Sequence, residues 1–126
     1  MAGLKANLGL PTSLTLIEWQ PAMRSRKILE KALALIEDPA TWVKGTMEEV
    51  SNGKQCYCLL GALGRASTEG EAPFGYEYEK ASLKALREAV FDLNGDYSII
   101  GFNDSPTTTH EDVIKTIQLA MQKVQA

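Results

Sequence analysis

Cys58 is the residue best placed to do chemistry. It sits in Cys56-Tyr57-Cys58-Leu59-Leu60-Gly61-Ala62-Leu63, where a strand-like run passes directly into a helix-like one. A thiol at such a junction lies near the free backbone N–H groups of a helix start, which favour a thiolate. A nucleophilic thiol also needs a base and a donor for the developing oxyanion. The single histidine, His110, is the candidate base, and Asn103 or Asp104 could orient it. The order of these residues differs from that of papain-like thiol enzymes, because Asn103 and Asp104 precede His110. The competing reading makes Cys58 a small buried hydrophobe, the commoner fate of a free cysteine.

A second group is the turn Phe102-Asn103-Asp104 with the threonines that follow it. Asn and Asp before a helix usually bond backbone N–H groups. With Thr108, they could instead line a binding site for an anion or a carbonyl oxygen at a helix start. Cys56, Cys58, His110 and Asp104 could in principle form a zinc shell. The C-x-C spacing is shorter than the usual one, however, and no second Cys/His pair is present. No metal or cofactor is therefore assigned. Gly61 and Gly64 lie inside a helix pattern, so they do not make a phosphate loop.

The elements that must position these residues follow from periodicity. Leu29, Ala32, Leu33 and Ile36 recur at helical spacing in a first helix over about 22–37, with Pro21 at its start and Asp38-Pro39 at its end. Asn52-Gly53 between two extended runs predicts a hairpin over 43–50 and 54–57. Leu59, Ala62, Leu63 and Ala66 form the stripe of a helix over about 58–67. Gly61 and Gly64 weaken that helix, so Gly61 or Gly64 is expected where another backbone approaches closely. A third helix is expected over 79–93, with Leu83, Leu86, Val90 and Leu93 inward and Asn94-Gly95 as its stop. Tyr97–Phe102 reads as a short strand that delivers the Asn103-Asp104 turn to a last helix over 109–124. Thr108 and Glu111 offer that helix a capping box. Residues 1–20 read as an N-terminal extension, with Ser13–Trp19 as a candidate edge strand, and 21–126 as one globular domain.

The fold class expected is α+β, with about four helices on a small antiparallel sheet made of the 43–57 hairpin and a 97–102 strand. A chain of 126 residues can bury a core of its own. The formal charge is -3, from 16 acidic and 13 basic residues without a basic run, so nucleic-acid binding is not expected. No apolar run approaches the about 20 residues of a membrane span. Two cysteines one residue apart are poor disulfide partners, which points to reduced thiols and a cytoplasmic setting.

The blocks Trp42-Val43-Lys44-Gly45, Tyr57-Cys58-Leu59-Leu60-Gly61-Ala62-Leu63 and Phe102-Asn103-Asp104, with Thr108, Thr109 and Val113 onward, together resemble a family of small uncharacterised bacterial and bacteriophage proteins. The match covers about residues 24–124. It implies this fold and a cytosolic setting, and it brings no activity. Three functional classes follow. The leading one is a small cytosolic binding or interaction protein of phage or mobile-element origin, with a protein, a small molecule or a second copy of the chain as partner. The next is a thiol-dependent hydrolase or acyl transferase using Cys58 and His110. The third is a small-ligand or metal binder.

Overall fold

A computed structural model describes the backbone of residues 16–68 and 78–124, and side chains from residue 22 onward. Among these residues there are five α-helices and one two-stranded antiparallel sheet, an α+β architecture. The helices are α1 (Leu16–Ile36), α2 (Leu59–Ser67), α3 (Lys80–Asn94), α4 (Ile99–Asp104) and α5 (His110–Lys123). The strands are β1 (Glu48–Ser51) and β2 (Lys54–Tyr57), and a 3-10 turn at Pro39–Thr41 follows α1. No described helix is long and apolar enough to cross a membrane.

The core is assembled from one stripe of each long helix. Leu29 and Ile36 of α1 meet Leu59 and Leu63 of α2, with Leu86 and Val90 of α3 and Val113 and Ile117 of α5 behind them. All eight are shut off from solvent, and such burial is the main favourable term in folding. α1 packs chiefly on α2, and α3 chiefly on α5. A polar tie joins the two pairs. The Ser25 hydroxyl of α1 donates to Glu79 Oε2 at 2.9 Å, and Glu79 Oε1 caps α3 by accepting from Ser82 N at 3.0 Å.

The hairpin turn follows its sequence signal. Asn52 and Gly53 take φ of 52° and 76°, as a two-residue hairpin loop requires, and Ser51 pairs with Lys54 beside it. The first arm is shorter than expected and begins at Glu48. Gly45, at φ 85°, turns the chain before that point. Trp42 and Val43 instead run along the other side of β2, where Val43 N–H donates to the Tyr57 carbonyl at 3.0 Å.

Three expectations are corrected. Residues 97–102 do not form a strand, because Ile99–Asp104 is helical. The Ser98 side chain accepts from Gly101 N at 2.9 Å as an N-cap, and Ile99, Phe102 and Asn103 are buried at i, i+3 and i+4. That is helical spacing, and the apolar run in Ser-Ile-Ile-Gly-Phe obscured it. The sheet therefore has two strands and the helix count rises to five. The first helix begins at Leu16, within the stretch read as an extension, so Leu16–Trp19 is not an edge strand and Pro21 lies in the second helical turn. The rest of that candidate strand, Ser13–Thr15, lies outside the described residues, as do loop residues 69–77. Leu93, expected inward, is 51% exposed; it lies in the last turn of α3, just before Gly95 caps the helix and turns the chain away.

Candidate functional site

Asn103 is the residue around which the site is built. It is fully buried in the last turn of α4, and all four of its hydrogen-bonding positions are used. Its Oδ1 accepts from the Trp42 indole at 2.7 Å and from Leu59 N at 2.9 Å. Its Nδ2 donates to the Val43 carbonyl at 3.1 Å and to Asp104 Oδ1 at 2.9 Å. One amide thus holds the segment entering the hairpin, the start of α2 and the end of α4 together. An N–H at a helix start lacks a partner within its own helix, and here Asn103 supplies it.

Asp104 continues the arrangement. Its Oδ1 also accepts from Gly45 N at 2.9 Å, which fixes the glycine turn before β1. Lys44 reaches the Ser105 carbonyl at 2.6 Å and lies over the Trp42 ring, 5.5 Å from its centre. The loop at 42–45 is thereby attached to the end of α4 at four points.

Cys58 is the N-cap of α2, and its Sγ accepts from Gly61 N at 3.2 Å. The thiol donates toward Met47 Sδ, 3.7 Å away. Burial pushes its pKa above the ordinary thiol value, and this outweighs the N–H groups of Gly61 and Leu60 that favour the thiolate; the nearby Asp104 charge raises it further. Desolvation therefore works against the helix-start N–H groups at this thiol, in line with the reading of Cys58 as a small buried hydrophobe. Gly61 shows why the junction is so closed. A Cβ there would overlap the Met47 carbonyl, with the carbonyl carbon at 2.9 Å, so the approach of the residue just before β1 requires glycine, as its place in the helix suggested.

His110 is held elsewhere. Its Nε2 lies 2.6 Å from the Ile36 carbonyl, which can only accept, so Nε2 carries the proton. The ring stands 5.8 Å from that of Trp42. It closes the C-terminal end of α1, and none of its described contacts is with Cys58. Thr108 is buried, with its N–H on the Ser105 carbonyl. The capping box of α5 belongs to the next residue: Thr109 and Asp112 exchange bonds of 2.9 and 3.1 Å, in place of the expected Thr108 and Glu111. The structure thus brings Cys58, Asn103 and Asp104 to one junction and leaves His110 and Thr108 outside it. The Cys56 thiol points to the Ala40 carbonyl at 3.3 Å. Among the described residues no three His, Cys, Asp or Glu side chains gather as a metal-ligating group.

Two shallow recesses flank Ile100 on the outer side of α4. One, of about 150 Å³, is lined by Thr46, Met47, Cys58 and Asp104. The other, of about 190 Å³, is lined by Leu60, Arg87, Tyr97 and Ser98. Ile100 borders both. Beside it Tyr97 stacks on Phe91 with ring centres 4.3 Å apart. Tyr97 is 73% exposed and Ile100 46%. Sequence reading missed this surface. The signal that could have found it is the helical spacing of 99–104, which points Ile100 away from the core.

This is a small α+β protein in which a buried asparagine locks a hairpin between two helix ends. Its sequence matches the model of a family of unknown function, DUF6197, over residues 20–123, and the chain belongs to that family. No curated protein and no solved structure matches it.

Proposed function

We propose that the protein is a binding protein that acts by docking a protein partner on the surface around Ile100, without thiol chemistry. The observation that carries this reading is the division of labour on α4. The polar Asn103 is turned inward, where every bonding position is taken, while Ile100 is left outward beside the stacked Tyr97 and Phe91. A contiguous apolar and aromatic patch on a small protein is a common mark of an interaction site. A buried thiol with a raised pKa is a poor nucleophile at neutral pH. Two free buried cysteines are also in keeping with a reducing, cytoplasmic compartment.

Affinity capture with three forms of the full chain tests the reading. Cys58→Ser is expected to retain the wild-type set of captured proteins, and Tyr97→Ser combined with Ile100→Ser to lose it while melting normally. The reverse pattern, with binding lost in Cys58→Ser and kept in the surface variant, would transfer the function to the thiol.

A further inference from the structure

We propose that the face around Ile100 is occupied by a second copy of the chain, in a two-fold dimer that sets Arg87 of each protomer against the partner's Asp104. The proposal rests on the reading of this face as a docking surface and names its occupant.

The argument is one of self-complementarity. Tyr97 and Ser98 at the start of α4 line one recess and Asp104 at its end lines the other, so Ile100, common to both, lies between them along the helix. Arg87 lies in the recess on one side and Asp104 in the recess on the other. Neither has an ion-pair partner among the described residues. Asp104 Oδ1 is taken by Gly45 N and Asn103 Nδ2, and both are neutral donors. The face thus reads cation, apolar centre, anion. A partner that fits it must read anion, apolar centre, cation in the same direction, and a half-turn about an axis over Ile100 produces that order from the face itself. Closed two-fold assemblies are built this way, with one patch used twice. The two ion pairs would form around an apolar centre of Ile100, Tyr97 and Phe91, the arrangement of a specific interface. Tyrosine and arginine are also the residue types that most often carry its binding energy. A net charge of -3 per chain opposes association only weakly at moderate salt.

Analytical ultracentrifugation of the full chain over a broad concentration range tests this. The expected result is a species of twice 13.8 kDa. Ile100→Glu is expected to be monomeric throughout, with an unchanged circular dichroism spectrum and melting curve. Arg87→Glu should weaken the dimer about tenfold or more, and high salt should weaken the wild-type dimer in the same direction by screening the paired charges. If Ile100→Glu does not fold, Tyr97→Ser replaces it, since Tyr97 is the more exposed of the two. A wild type that is monomeric at every concentration overturns the second copy as occupant, and leaves the docking reading to the capture experiment. A dimer indifferent to both the Ile100 and Arg87 changes overturns this face as the dimer interface, and the docking reading again rests on the capture experiment.

Discussion

The two sides of α4 follow opposite rules. Its inner side buries an asparagine between Trp42, Val43 and Leu59, and its outer side leaves an isoleucine half in water. A buried amide is costly unless all its bonds are made, and here they are. It therefore acts less as a source of stability than as a fastener: only one arrangement of loop, hairpin and α2 satisfies all four positions. Ile100 on the outer side does nothing of this kind for the fold. Where a six-residue helix turns a polar group inward and an apolar one outward, the inner residue has a structural role and the outer one is free for another surface.

The largest expected effect tests the inner side. Asn103→Ala would strand the Trp42 indole N–H, Leu59 N–H and Val43 carbonyl away from water. At about 1–3 kcal/mol for each stranded group, a loss above roughly 3 kcal/mol is expected in denaturant unfolding. A loss under about 1 kcal/mol would mean that water replaces the amide and that Asn103 is no fastener. Gly61→Ala comes next. The group it would strike is the Met47 backbone, which cannot swing aside as a flexible side chain can, so destabilisation of about 1–3 kcal/mol is expected, read from the same unfolding curves. Wild-type stability in that variant would show that the Met47 backbone has room to move off α2.

Much of this frame was legible in the sequence. Asn52-Gly53 identified the hairpin, because few other pairs tolerate two positive φ values, and Gly61 identified the close approach. Cys58 was rightly placed at the start of α2, and the balance of forces on its thiol was not legible. A helix start favours a thiolate, and sequence cannot show how completely Met47 and the core exclude water there. The short helix at Ile99–Asp104 was missed because an apolar run of this length fits a strand as well as a buried helix, and Ser98 was not recognised as its cap. The pairing of His110 with Ile36, 74 positions away, is a tertiary contact with no local signal.

Capping supplies a smaller test. Thr109→Ala should cost about 1 kcal/mol, since it removes the cap of α5, whereas Glu111→Ala should cost less than about 0.5 kcal/mol because that residue makes only an exposed pair with Lys115. Equal losses would return the cap to the Thr108 register. Cys58 adds a dependence on pH. Its folded pKa lies above the ordinary thiol value of 9.0, so the unfolded chain releases this proton first. The stabilising contribution is complete below pH 9 and is lost as pH rises through the folded pKa. Tyr57 and Tyr78, also raised by burial, act in the same sense from about pH 10 upward. Cys58→Ser should therefore flatten the first part of the alkaline decline in melting temperature and leave the tyrosine part in place. An unchanged slope near pH 9 would mean that the thiol is far better solvated than its place at the junction indicates.

The smallest effect belongs to the outer side of α4 and completes the comparison. Ile100→Ser, measured at a concentration low enough that chains do not associate, should change unfolding free energy by less than about 0.5 kcal/mol, the usual range for a surface site. Part of the side chain does touch the protein, at the rims of both recesses, so a few tenths of a kcal/mol of apolar contact are lost. Isoleucine and serine have similar helix propensities, so that term changes little. Set beside the Asn103→Ala loss, this gives a ratio of roughly sixfold or more between residues three positions apart on one helix. A loss at Ile100 comparable to that at Asn103 would mean that the outer side is part of the folded core after all, and the case for a docking surface there would fail with it.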